Sequence, residues 1–433
     1  MRMTDPLKRI RVYAAQTFFS FEFVFLLFLF AGCYKARPWL QWVPVDLTAF
    51  FFAVSVAVGA FILARKKVRF SRDALIVVGM GGFLFLYAVV SLTWSPGVLY
   101  AGKKALYLCT LTYWPLVAAA LIVADSAERV RYILGGLFFF ALWFAVESLF
   151  SFFQSSDQRL WAIGVAVEGA DYISIGRIIS LGAISIYGYY MLHAGSGLSL
   201  FLSLALLCCF VFVLMILGGR GPLLGMILSF ALVPIAGWKK GSPFHLWNRK
   251  HVFLMVLVIL AAAILAGYMI THSSLMPTIR RTYYLFAGIG ESPLLRLDYY
   301  WRALRLWAET PILGHGIGSW PLLVGLGDIK EYPHNIILEL LVELGLVGFL
   351  LFLAIPLKAL YRSVSLKAIQ KAPILLILLM IFADLFVNAL CSGDLADNRL
   401  LFAAAGMLVM RGGHYTDPAG APGSNGETAS RMR

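Results

Sequence analysis

The amino-acid sequence predicts an all-α polytopic membrane protein with about 12 transmembrane helices and one long loop on the outer side. Hydrophobic residues make up 61% of the 433 residues and charged residues only 13%, about half the charged fraction of a soluble globular protein. The mean hydropathy is +0.84. Apolar runs of about 20 residues, each long enough to cross roughly 30 Å of hydrocarbon, recur along most of the chain.

The apolar segments divide the chain, because one connection is far longer than the others. We expect transmembrane helices 1–9 in residues 1–270, a large loop with amphipathic helices in residues 271–333, transmembrane helices 10–12 in residues 334–411 and a disordered tail in residues 412–433. The predicted spans lie near residues 14–34, 45–64, 73–94, 105–124, 132–153, 173–192, 198–217, 221–237, 252–270, 334–357, 374–391 and 398–410.

Basic residues predict the orientation. The net charge is +14, and lysine and arginine cluster in short connections near residues 65–72, 239–250 and 358–371. By the positive-inside rule these connections and both termini lie in the cytoplasm, and the long loop lies on the outer face. The N-terminal apolar run is too long for a signal peptide and lacks a cleavage site, which favours an uncleaved first helix.

Several classes of site are unsupported by the sequence. The five cysteines lie in or beside apolar segments, and their odd number and spacing favour neither a disulfide framework nor a metal site. The sequence has no Asp-x-Asp motif, no Walker loop and no dinucleotide fingerprint. A metal-dependent mechanism that uses nucleotide sugars is therefore not expected.

The long loop contains a predicted amphipathic helix. Ser292 and Pro293 predict a helix start, and Pro311 predicts its end. Between them, one helical stripe is apolar and another carries two opposite-charge pairs at i,i+4 spacing, which predicts an amphipathic helix at the membrane surface or over a cavity. A flexible turn is expected at residues 314–318. The apolar stripe is Leu297, Trp301, Leu304 and Ala308, and the charged stripe is Asp298, Arg302, Arg305 and Glu309.

Arginines on the predicted outer face indicate an anion site. Arg220 lies in a Gly-Gly-Arg-Gly-Pro turn, where glycines allow a ligand close to the backbone and the guanidinium offers a fork for phosphate oxygens. A tight turn with an interfacial anchor is the alternative. The other arginines could bind a diphosphate or phosphorylated sugar, or only lipid headgroups. They are Arg177, Arg280, Arg281, Arg296, Arg302 and Arg305.

One histidine, His334, stands where the long loop enters an apolar segment. With an ordinary pKa near 6.5 it can act as a general base, orient a hydroxyl or bind phosphate, although a lone interfacial histidine is more often structural. Glu339 and Glu343, one and two turns further, should face a cavity or a neighbouring helix. A later polar cluster either frames a sugar site or caps helices: Asp384, Asn388, Asp394, Asp397 and Asn398.

The motif His334-Asn335, nine residues, Gly345, two residues, Gly348 resembles the pattern of O-antigen ligases. The segment from Arg296 through the Pro-Ile-Leu-Gly-His-Gly-Ile-Gly sequence of residues 311–318 also resembles the region before that histidine in the wider ligase and polymerase family. The Gly-Arg-Gly turn at Arg220 looks like the family's earlier essential arginine.

This resemblance implies a GT-C-like glycosyltransferase of the bacterial inner membrane, with its active site on the periplasmic face. Such an enzyme transfers O-antigen from undecaprenyl diphosphate to lipid A–core oligosaccharide, with inversion and without metal or other cofactor. By the same resemblance, Arg220 and Arg296 hold the donor diphosphate and His334 activates or positions the acceptor hydroxyl. Arg177, Arg302, Arg305 and Asn335 are further candidate substrate contacts.

Other functions remain open at this stage. An O-antigen polymerase uses the same donor, and a protein O-oligosaccharyltransferase usually carries a sizeable extra periplasmic domain. A transporter of lipid-linked oligosaccharides should place charged residues along a path to both faces, whereas here the notable charges collect on one face.

Overall fold

A computed structural model describes residues 13, 15–65, 70–154, 171–192, 197–237, 291–363, 369 and 374–410. All regular structure within these ranges is helical. The predicted span at 252–270, the first part of the long loop with Arg280 and Arg281, and the predicted tail at 412–433 lie outside the described residues.

Every predicted span within the described residues coincides with a helix, so the helix pattern read from hydropathy is confirmed there. A π-helical turn, Leu108–Thr112, joins α4 to α5, and a short helix, Trp320–Leu323, follows α10. The helices are α1 Phe21–Tyr34, α2 Leu47–Arg65, α3 Arg72–Val90, α4 Leu99–Tyr107, α5 Tyr113–Leu121, α6 Ala127–Gln154, α7 Tyr172–Leu192, α8 Gly197–Leu217, α9 Arg220–Gly237, α10 Glu291–Glu309, α11 Ile336–Ser363, α12 Ile374–Cys391 and α13 Arg399–Met407.

Six helical segments in the described ranges are long and apolar enough to cross a membrane, which confirms an α-helical membrane protein. Three shorter apolar helices accompany them: Phe21–Tyr34, Phe201–Leu217 and Arg220–Val233. The six segments are Leu47–Arg65, Arg72–Thr93, Leu99–Asp125, Ala127–Gln154, Ile336–Tyr361 and Ile374–Cys391.

Small residues bring the helices into close contact. Gly182 of α7 lies against Ala141 of α6, and a Cβ added at Gly406 of α13 would lie 2.8 Å from the Cβ of Ala119 in α5. In lipid, helix association depends on such close van der Waals packing, since moving apolar side chains from lipid to a protein interior gains little. The α9–α12 and α3–α11 pairs also pack together, and these contacts position the region around His334.

Helix α11 is broken at Gly345, the first glycine of the motif. Its φ of 63° and ψ of −165° fall in a region that is nearly exclusive to glycine. The backbone N–H groups that the break releases find partners in the preceding loop: Leu346 N donates to Pro311 O at 2.9 Å, and Val347 N donates to Ile312 O at 3.2 Å. The break is therefore a docking point for the loop.

The loop segment of residues 311–319, hereafter the wedge, fills this break. His315 N donates to Val342 O and Gly316 N to Glu343 O, at 2.9 and 2.8 Å. On the other side, Ile317 N donates to Ser91 Oγ at 3.0 Å, and Ser95 Oγ donates to Ile317 O at 2.7 Å. The flexible turn expected at residues 314–318 is therefore a buried, hydrogen-bonded segment between α11 and the α3–α4 connection.

Helix α10 has three faces. It begins at Glu291, slightly before the predicted cap at Ser292, and ends before Pro311 as predicted. One face is buried, with Ala303 packed against Trp320 and Val342. The predicted apolar stripe is exposed, Trp301 to 64% and Leu297 to 55%, and the charged stripe is exposed beside it. A helix with one buried face and with exposed apolar and charged faces side by side is typical of a membrane surface.

We predict that Gly345→Ala destabilises the fold. The added Cβ would meet the carbonyl oxygen of Ile312 and lie 2.6 Å from Gly314 N, and the backbone conformation alone costs alanine about 1–3 kcal/mol. Gly79→Ala in α3 is the matched control, because its Cβ meets nothing within 4 Å. Thermal unfolding of both variants in detergent measures the difference, and equal midpoints would contradict the role of the break.

Candidate functional site

His334 stands directly before α11 with a left-handed backbone, φ 57°, which is uncommon for a residue other than glycine. Its ring stacks on Tyr299 of α10 at 6.4 Å between centroids and meets Tyr332 edge-on at 4.7 Å. Its Nε2 lies 3.8 Å from Glu331 Oε1, and its buried Nδ1 has no hydrogen-bond partner among the described residues. Two aromatic side chains thus hold the ring, and Nδ1 stays unpaired within the part of the chain that the structure describes.

Burial and the nearby Arg296 guanidinium lower the pKa of His334 below its ordinary value, and Glu331 opposes this shift only in part. Both effects disfavour the imidazolium, because it would lose hydration and be repelled by a like charge. His334 is therefore mostly neutral at pH 7, which is the form that a general base requires.

Asn335 fixes the start of α11. Its Oδ1 accepts hydrogen bonds from Ile337 N at 3.0 Å and from Leu338 N at 3.2 Å, as an N-cap does. A hydrogen bond also joins its side chain to Tyr300 of α10. This capping role positions the backbone of His334; a direct contact between Asn335 and substrate stays a prediction.

Three of the predicted arginines come together although they lie far apart in the sequence. Arg177 of α7, Arg220 at the start of α9 and Arg296 of α10 all lie within electrostatic range of the Cys391 thiol at the end of α12. Arg296 also acts on His334, so the same guanidinium borders both the histidine and the arginine group. We call these three residues the arginine cluster.

Arg177 is held by the chain that follows α12. Its Nη2 donates to Ser392 O at 2.8 Å, and its guanidinium lies 3.4–3.5 Å from the position that a Cβ of Gly393 would occupy. Gly393 has a φ of 90°, so this turn depends on glycine. The Tyr332 side chain is also hydrogen-bonded to Ser392, and it contacts His334.

Arg220 is placed by close packing of two helices. It is the first residue of α9, and it follows Gly218, whose φ is 82°. A Cβ at Gly221 would lie 3.4 Å from Cys391 Cβ, and a Cβ at Gly225 would lie 2.6 Å from Asp384 Oδ1. The glycines around Arg220 thus allow α9 to approach α12, which brings the guanidinium to the Cys391 end.

Arg302 and Arg305 lie on the exposed charged face of α10. The predicted pair of Arg302 with Asp298 is present at 2.7 Å. The second predicted pair, Arg305 with Glu309, is not formed within the described part of the chain; Glu309 instead lies 3.7 Å from His315 Nε2. Their suggested role as phosphate contacts stays a prediction.

A buried ion cluster lies beside the first turns of α11, which follow His334. Its central residue is Lys104 of α4, which the sequence did not indicate. Lys104 Nζ pairs with Glu339 and, at 2.7 Å, with Glu343 Oε2. The three side chains are at most 1% exposed. Glu339 accepts from Leu395 N at 3.0 Å and Glu343 from Gly318 N at 2.9 Å. The expectation that both glutamates face a neighbouring helix is confirmed.

The polar cluster after α12 also organises backbone. Asp394 accepts hydrogen bonds from the Tyr100 hydroxyl at 2.9 Å and from Asp397 N at 2.6 Å, and Asn398 Nδ2 donates to Asp394 O at 2.7 Å. Lys330 of the long loop pairs with Asp397 at 2.6 Å. These contacts organise the turn between α12 and α13, whereas the side chain of Asn398, the N-cap residue of α13, makes no capping hydrogen bond. Among the described residues, no three histidine, cysteine, aspartate or glutamate side chains form a group that could hold a metal ion.

Residues 204–353 match the O-antigen ligase family. The match confirms the resemblance that the motif predicted, and it contains Arg220, Arg296, His334 and Gly345. No curated protein matches the chain.

The family indicates a multi-pass membrane enzyme with O-antigen ligase- or polymerase-type activity, which acts on lipid-linked glycans. Two structural elements of the site lie outside the matched residues: Arg177 of the arginine cluster, and Lys104 of the ion cluster. The matched segment is therefore completed by α4 and α7, which precede it in the chain.

We predict that Lys104→Met lowers the free energy of unfolding by about 3–5 kcal/mol, because two buried carboxylates would lose their counter-ion. Lys103→Met is the control: Lys103 is exposed and lies over the Tyr107 ring, so its loss should cost at most about 1 kcal/mol. Denaturant unfolding of the purified protein measures both values. A similar loss of unfolding free energy in the two variants would show that the buried ion cluster contributes no more to stability than an exposed lysine does.

Proposed function

We propose that this protein is an inverting, metal-independent glycosyltransferase that ligates O-antigen from undecaprenyl diphosphate onto lipid A–core oligosaccharide. The observation that supports this most directly is the convergence of Arg177, Arg220 and Arg296 beside a neutral His334 whose Nδ1 has no hydrogen-bond partner among the described residues. In this proposal the site faces the periplasm of the bacterial inner membrane, and both termini lie in the cytoplasm.

The arginine cluster suits the donor diphosphate. A lipid-linked diphosphate carries its charges at the membrane surface and an apolar tail beside them, and α10 offers Arg296 next to an exposed apolar stripe. Arginine matches phosphate oxygens with paired donors, and its charge persists in a partly buried site. The N-terminus of α9, where Arg220 stands, adds the positive end of a helix.

His334 suits the acceptor. As the acceptor hydroxyl oxygen attacks the anomeric carbon, a new C–O bond forms and the bond from that carbon to the diphosphate oxygen breaks. The diphosphate leaves with the electron pair, and the arginines stabilise the charge that develops on it. The neutral imidazole takes the hydroxyl proton or orients the hydroxyl for this attack. A single displacement inverts the anomeric configuration.

The test is complementation of a strain that lacks this protein with wild type, His334→Ala or the control His315→Ala. Lipopolysaccharide is separated on a gel, and undecaprenyl-linked O-antigen is assayed in parallel. We expect His334→Ala to give bare lipid A–core with accumulated long lipid-linked O-antigen. The control should restore the ladder. The His315 side chain hydrogen-bonds with Thr310 at 2.9 Å, and the backbone N–H groups that dock the wedge on α11 are kept in the variant.

Other results would point elsewhere. Lipid A–core with a single repeat unit would indicate a polymerase, and unchanged ladders with His334→Ala would show that the histidine is structural. Bare lipid A–core with accumulated unflipped precursor would indicate transport.

The lowered pKa of His334 predicts the pH dependence of the reaction. If the neutral imidazole is required, kcat/KM should be level at neutral pH and fall as the pH drops through the pKa of His334, below its ordinary value of about 6.5. The pH profile of the reconstituted enzyme measures this, with His334→Gln as the variant that lacks the titrating group. An acid limb of equal position in His334→Gln would assign the titration to another residue.

A further inference from the structure

Glu339 and Glu343 form a matched pair within the buried ion cluster. They lie one turn apart on α11, their side chains are equally buried, and each pairs with Lys104. Each also accepts a hydrogen bond from one backbone N–H of a different segment. The two carboxylates therefore have similar structural roles but hold different parts of the molecule.

Glu339 holds the turn of residues 392–398, because both of its oxygens lie 3.0 Å from Leu395 N. That turn carries Ser392, whose carbonyl oxygen receives Arg177 Nη2 at 2.8 Å. Ser392 is also hydrogen-bonded to Tyr332, which lies edge-on against His334. Through this one turn, Glu339 is connected both to the arginine cluster and to the histidine.

Glu343 contacts the wedge and not the turn that holds the arginine cluster. Its Oε2 accepts from Gly318 N at 2.9 Å, at the end of the wedge. Ile317, the preceding residue, is bonded to Ser91 and Ser95 in the α3–α4 connection. Glu343 thus fastens the wedge to α11, and none of these contacts reaches Arg177 or Tyr332.

We propose that Glu339 is a positioning residue. Its hydrogen bond with Leu395 N fixes the position of the 392–398 turn relative to α11, and thereby the positions of Arg177 and Tyr332 around the bound anion. The catalytic part of this proposal rests on the proposed function, whereas the geometric part concerns only the arginine cluster. The geometry is testable without any transfer reaction, because Cys391 lies within range of all three arginines.

The first experiment uses Cys391 as a reporter of local charge. The other four cysteines are replaced by alanine: Cys33, Cys109, Cys208 and Cys209. Labelling rates of Cys391 are compared for an anionic and a cationic methanethiosulfonate. The arginines favour the anionic reagent, so displacement of one guanidinium should lower the anionic-to-cationic ratio by about fivefold or more.

Glu339→Ala and Glu343→Ala are compared in this background. Each removes one partner of Lys104 and one acceptor of a backbone N–H, so both should lower the thermal midpoint. We expect the labelling ratio, and the protection of Cys391 by inorganic pyrophosphate, to fall only in Glu339→Ala. Glu339→Gln should restore both, because its amide oxygen can still accept from Leu395 N.

A second pair keeps the charge balance in case the alanine variants do not fold. Glu339→Asp and Glu343→Asp retain a carboxylate for Lys104 but withdraw it by one methylene. In the transfer assay, kcat/KM should fall about tenfold to a hundredfold in Glu339→Asp, because small displacements of positioned groups are costly, and remain near wild type in Glu343→Asp.

The outcomes separate the two proposals. Equal effects of the two glutamates on labelling ratio and kcat/KM would overturn the positioning role and leave the cluster as a purely structural one. A selective loss of labelling ratio in the Glu339 variants, in a protein that shows no ligation, would support the positioning role and contradict the proposed function.

Discussion

The ion pairs of Lys104 with Glu339 and Glu343 are the interaction on which the site region depends. A lysine that is completely buried within a membrane protein requires counter-charges, and two carboxylates of α11 supply them. Glu339 also accepts a hydrogen bond from the backbone N–H of Leu395, and Glu343 Oε2 from that of Gly318. One buried charge thereby fixes four segments against each other: α4, α11, the wedge and the turn after α12.

The break at Gly345 is the complementary backbone constraint. A continuous α11 would satisfy its own hydrogen bonds and leave no place for the wedge, whereas the broken helix leaves groups that residues 311 and 312 satisfy. This gives the first motif glycine, Gly345, a structural meaning. The spacing between His334 and Gly345 sets the distance along α11 from the histidine at its start to the point where the loop that carries α10 is anchored.

The fold and much of the candidate site could be predicted from the sequence because hydropathy, charge placement and one motif are local properties. Helix positions follow from apolar runs, and Arg220, Arg296 and His334 from their unusual places beside those runs. Lys104 could not be found in this way: it stands beside Lys103 at the end of a predicted connection, and only tertiary packing shows that one is exposed and the other buried. The burial of the wedge could not be predicted for a related reason, since its glycines indicate a turn but do not show which segments enclose it.

The three faces of α10 determine how deep this helix lies in the membrane. In the proposed orientation, its exposed apolar face would lie in hydrocarbon and its exposed charged face in water, which places the helix at the membrane boundary. Arg296 belongs to the same helix and therefore shares its level. The level of the proposed anion site would then follow the level of the surrounding lipid phosphates, and a bilayer of different thickness would raise or lower both together.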